Sequence, residues 1–257
     1  MWLRYLTSDV IAALFWRLLF MMEHLAVDAA VIAEVDVLVC GGGPAGIGAA
    51  LACAHRLERE GRVGIARTLY ARLEEDTYPR QVRLAALRGL FRVDGSKALP
   101  LVLESLCSED LAEAAAAVDA VRTLDSPRTM AAVCAALPEI GPATRARVIY
   151  ALMDRPEPVP GNILVAETKH ADPVVREAAL YAMREEGRSA VPHLAMAAAN
   201  QEPPLAQVAR ESLARLPGRG VERAMTAALE DASPMVQAEI LRALGARHAV
   251  GAAEAVG

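Results

Sequence analysis

The strongest constraint on this chain is a repeat. Leu87, Val118, Ile149 and Leu180 stand 31 residues apart, and Leu90, Val121, Leu152 and Met183 keep the same interval. Leu213 and Leu216 follow after 33 residues, then Leu241 and Leu244 after 28. Within each pair the two apolar residues are three apart, which places them on one face of a helix. Three of these helices read PRQVRLAALRGL (79–90), PVVREAALYAM (173–183) and PMVQAEILRAL (234–244). Each opens on a proline, where a missing N–H costs nothing.

A second helix follows each of the first. These read KALPLVLESL (97–106), PRTMAAVCAAL (127–137), GNILVAETKH (161–170), SAVPHLAMAAA (189–199) and GVERAMTAALED (220–231), with AVGAAEAV (249–256) as a closing one. Turn signals separate them, among them Asp94-Gly95-Ser96, Asp125-Ser126-Pro127 and Glu186-Gly187. Upstream, IGAALACAHRLERE (47–60) and GIARTLYARLEED (64–76) form one more pair. Two helices per unit at this period predict an all-α chain, an α-solenoid of about six to seven helix pairs. The composition agrees: 54% hydrophobic but only 4% aromatic, with much of the apolar content supplied by alanine, which favours close-packed helices.

The stretch Asp172-Pro173-Val174-Val175-Arg176-Glu177-Ala178-Ala179-Leu180 carries a resemblance to a known family. It is similar to HEAT repeats of the short, PBS-lyase-like kind, and the likeness extends over about residues 47–257. The resemblance implies a non-catalytic interaction scaffold whose concave face takes a protein or peptide. Arg83, Arg145 and Arg176 recur at related positions and are expected to brace or cap neighbouring repeats, or else to face an acidic partner.

Ahead of the array stands VDVLVC (35–40), an apolar run that reads as one isolated β-strand. Gly41-Gly42-Gly43-Pro44-Ala45-Gly46 follows it and fits G-x-G-x-x-G through Gly41, Gly43 and Gly46. Gly41 permits the tight turn, Gly43 lets backbone approach a pyrophosphate, and Gly46 lets the helix pack close to the strand. Residues 35–57 resemble the N-terminal fingerprint of FAD-dependent oxidoreductases. That resemblance implies FAD, held by its pyrophosphate at Gly41, Gly43 and Gly46, and is the alternative to the scaffold reading. The acidic residue that should follow at a second strand's end is missing: Glu58, Glu60, Glu74 and Glu75 all lie on helical patterns. The reading is therefore a truncated βα fingerprint attached to a solenoid, with no cofactor expected.

The expected organisation is thus 1–34, an apolar helical segment; 35–57, the fingerprint; and 58–257, the solenoid. The first segment holds Trp2, Tyr5, Phe15, Trp16 and Phe20, half of all the aromatics. Its apolar run VIAALFWRLLFMM (10–22) contains Arg17 and is shorter than the roughly twenty residues of a membrane span. It reads as a helix packing on the protein or a partner, with a signal or membrane anchor as the alternative to a cytoplasmic chain. A net charge of −5 gives no reason to expect nucleic acid. Cys40, Cys53, Cys107 and Cys134 form no CxxC, and His24, His55, His170, His193 and His248 form no HExxH, so no metal ligands and no catalytic residues are assigned.

Overall fold

The computed structural model describes residues 43–125 and 128–256, with side chains through residue 247. The segment 1–34, the strand expected at 35–40 and Gly41 lie outside the described residues. Those described belong to one compact unit, Gly41–Gly257. They are all-α, with no strand among them.

Six helical pairs follow one another. They are α1 (Pro44–Arg59) with α2 (Val63–Leu73), α3 (Arg80–Asp94) with α4 (Leu99–Leu106), and α5 (Leu111–Thr123) with α6 (Thr129–Ala136). Then come α7 (Pro142–Met153) with α8 (Gly161–Glu167), α9 (Pro173–Ala182) with α10 (Val191–Asn200), and α11 (Leu205–Ala214) with α12 (Val221–Ala228). A long helix, α13 (Pro234–Val256), follows the sixth pair.

Local chemistry starts these helices where the sequence says it should. Asp110 caps α5 by accepting from the N–H of Ala112 at 2.8 Å. Asp172 caps α9 by accepting from the N–H of Val174 at 2.9 Å. Each satisfies a donor that the first helical turn leaves free. Pro142 and Pro173 occupy first positions, where proline's fixed φ suits the helix.

The first helices stack directly in one continuous row: α1, α3, α5, α7, α9, α11 and α13. The apolar stripe lies inside that row. Leu87, Val118, Ile149, Leu180 and Leu213 are buried, as are Leu90, Val121, Leu152, Met183 and Leu216. Alanines such as Ala117, Ala146, Ala178 and Ala209 are buried between them and let the helices approach closely. The result is one core running from Leu87 to Ala243. Each buried Leu or Ile contributes about 1.5–3 kcal/mol, so stability is distributed along the array.

The last repeat departs from expectation twice. Leu241 is 58% exposed, and Ile240 and Ala243 are buried in its place. On the side where a further first helix would lie, no described residue covers α13. The separate closing helix expected over 249–256 is also corrected, because α13 runs unbroken to Val256. The stretch ARHAVGAAEAV offers alanines and no proline, and neither Gly245 nor Gly251 is a strong enough break to stop it.

Candidate functional site

Of the fingerprint glycines, Gly43 is the N-cap of α1 and Gly46 lies in its first turn, half-buried. No described side chain caps that end. The acidic residues weighed for a ribose are engaged elsewhere. Glu58 stands at the far end of the 16-residue helix, about 22 Å from Gly43 at 1.5 Å per residue. It accepts from Arg92 at 2.7 and 3.0 Å and from the hydroxyl of Tyr70 at 2.7 Å. This cluster pins α1 to α2 and α3. Arg92, and after it Tyr70, holds the Glu58 carboxyl below its usual range. Glu60 pairs with Arg56 and Glu75 with Arg72. Glu74 sits among Arg83, Asp76, Glu104 and Glu113, turned toward the next repeats.

The recurring arginines are braces and caps. Arg145 makes a two-pronged bond to Glu167 at 2.5 and 2.7 Å, joining α7 to α8 with Glu167 buried and Arg145 half-buried. Arg176 donates to the carbonyls of His170 and Ala171 at 2.7 Å, closing the turn before α9. Arg83 pairs with Asp76. Two further arginines reach back one repeat. Arg155 donates to the carbonyls of Val121 and Leu124 at 2.6 and 2.9 Å, and Arg247 to those of Ala214 and Leu216 at 3.1 and 2.8 Å. The ion pairs Arg80–Asp110, Arg122–Asp154 and Arg210–Glu239 also link successive repeats.

Two surface features of the described residues stand out beside these structural roles. The first is a ridge on the row of first helices. Tyr150 of α7 and Tyr181 of α9 are exposed, and their rings meet edge to face at 5.6 Å. The guanidinium of Arg184 lies 4.6 Å from the Tyr181 ring centre. Both tyrosines follow a buried stripe residue by one position (Ile149 and Leu180), so they repeat at the same interval of 31. Their period is visible in the sequence, but spacing alone does not distinguish an exposed position from the buried one beside it.

The second is a groove of about 440 Å³ between α8, α10 and the turn before α10. Helix α8 has only seven residues and makes no broad contact with α10, which leaves the space open. Val165, Met183 and Ala190 form apolar walls. Asn162, Glu186, Ser189 and His193 bring polar groups to its edge. Glu186 crosses over Gly161, where an added Cβ would stand 2.8 Å from its Oε2. Burial pushes the Glu186 carboxyl above its usual range. Sequence reasoning missed this groove because it depends on a helix length and a turn path. Among the described residues no group of three or more His, Cys, Asp or Glu could hold a metal ion.

No family model matches the chain, and no curated protein matches it. Among solved structures, human deoxyhypusine hydroxylase in complex with glycerol is similar at 20% identity and a TM-score of 0.33. The likeness covers 80% of this chain and 86% of that one.

Proposed function

We propose that the chain is a non-catalytic protein-binding scaffold built from HEAT-like repeats of the PBS-lyase-like kind. The observation that carries this reading is the exposed Tyr150–Tyr181 pair. Tyr70 and Phe91 are buried, so the array keeps some of its few aromatics inside and places these two together on its surface. Tyrosine and arginine concentrate binding energy at protein interfaces. Here they stand on packed helices, and the edge-to-face contact with the Arg184 stack fixes their orientation. Little conformational entropy is left to lose on binding.

A photo-crosslinking amino acid at position 150 or 181 tests this, with Arg128 and Glu139 as controls. Adducts to a discrete partner from the ridge positions, lost when the other tyrosine is changed to alanine, support it. Complexes that form equally with Y150A/Y181A would overturn it.

The free N–H groups in the first turn of α1, after its N-cap Gly43, favour a second reading, a flavin phosphate held by Gly41, Gly43 and Gly46. Absorption in the flavin bands by the purified chain, lost on changing Gly43 to a bulky residue, would establish that alternative.

A further inference from the structure

Seven glutamates among the described residues are buried or half-buried, and six of them have a partner. Arg92 meets Glu58, Arg72 meets Glu75, Arg155 meets Glu157, Arg145 meets Glu167 and Arg210 meets Glu239. Glu113 accepts from Ser108 at 2.9 Å. The seventh is Glu186, in the groove between α8 and α10. Its backbone is engaged, since its N–H donates to the Met183 carbonyl and its own carbonyl accepts from Ser189 Oγ. Its carboxylate receives no hydrogen bond and no ion pair from any described residue.

A carboxylate taken partly out of water without a partner costs stability. At five of the other six the array offsets that cost with a guanidinium. At Glu186 there is space for one that no described residue fills, and the carboxylate lies over Gly161 at its wall. We propose that this groove receives an arginine side chain of a partner polypeptide, its guanidinium on the Glu186 carboxylate and its stem along Val165, Met183 and Ala190.

Charge complementarity selects a cation. The apolar walls select one whose charge is weakly hydrated and whose stem is aliphatic, which favours guanidinium over ammonium. The side-chain carbonyl of Asn162 and the hydroxyl of Ser189 can accept the N–H groups that a two-pronged carboxylate pair leaves over. This rests on the scaffold reading, because it names the chemistry of a polypeptide partner. It concerns a different surface from the tyrosine ridge.

The test uses the full chain and three blocked pentapeptides, each with one central residue between leucines: arginine, its uncharged isostere citrulline, and lysine. Calorimetry gives affinity, and amide NMR shifts at Asn162 and Gly187 give location. The arginine peptide is expected to bind at least tenfold more tightly than the citrulline peptide. Glu186→Gln should erase that ratio while the protein stays folded by circular dichroism. Gly161→Ala, which crowds Oε2, should reduce it.

Equal affinity for arginine and citrulline peptides overturns the proposal, as does no saturable binding at millimolar peptide, or tighter binding of lysine. Shifts confined to the Tyr150–Tyr181 ridge, abolished by Y150A/Y181A, also overturn it while leaving the scaffold reading intact. Conversely, ridge crosslinks that vanish while the arginine preference persists would sink the ridge and keep the groove.

Discussion

Tyr70 fills the space that a side chain at Gly89 would need: a Cβ built on Gly89 would fall inside the Tyr70 ring's contact surface. Tyr70 is fully buried, and its hydroxyl donates to Glu58, which Arg92 also holds. One missing side chain on α3 therefore lets α1 and α2 join the array. Gly89→Ala should cost about 1–3 kcal/mol through overpacking. Gly48→Ala, in a helix with open space around it, should be neutral or stabilising by about 0.5–1 kcal/mol. Urea unfolding of the two variants measures the contrast.

The largely buried pair Arg145–Glu167 and the exposed pair Arg56–Glu60 should respond differently to truncation. Glu167→Ala strands a largely buried guanidinium and should cost about 3–5 kcal/mol. Replacing both Arg145 and Glu167 by apolar residues of similar size should recover most of that loss. Glu60→Ala should leave the melting temperature unchanged. A double variant no more stable than Glu167→Ala would show that the pair is not the source of the effect.

Leu180 and Leu241 occupy the same place after an opening proline, at Pro173 and Pro234. Leu180 is fully buried and Leu241 is 58% exposed. Leu180→Ala should therefore cost about 2–5 kcal/mol, whereas Leu241→Gln should change stability by less than about 0.5 kcal/mol. Thermal melts of the two variants are sufficient.

Two glutamates should give opposite pH dependence. Arg92 holds the folded Glu58 carboxyl below its unfolded value. Its contribution is present above about pH 4.5 and is lost as the pH falls further. Burial holds that of Glu186 above its unfolded value. Its contribution is present below the unfolded pKa, about 4.5, and is lost as the pH rises through the folded value. Glu186→Gln should thus raise the melting temperature at pH 7, by roughly 2–4 °C per kcal/mol gained. The gain should disappear near pH 4. A variant less stable than the parent at pH 7 would contradict the unpartnered carboxylate.

The array was legible because its stripe obeys one helical face per repeat. The buried set Leu87 to Leu216 follows from spacing alone. The end of the array was less legible. Leu241 carries the pattern in sequence, but burial needs a neighbour, and spacing does not record whether one is there. The run after Gly245 contains too many alanines to break. The helix after the glycines was recognisable as part of the solenoid, and Tyr70, Glu58 and Arg92 supply the physical reason. The groove was not legible. It arises from the brevity of α8 and from Glu186 crossing Gly161, a contact between residues 25 positions apart in different turns.

Arg155 and Arg247 finish the helix ends of the repeat before them, and each does so from the later repeat. These carbonyl caps give the array a polarity. Peeling α13 away exposes the raw carbonyls of Ala214 and Leu216, so the damage reaches back into α11 and the turn behind it. Loss of α13 should therefore loosen the end of α11 as well, and removing the Arg247 side chain alone should reproduce part of that damage with α13 still in place.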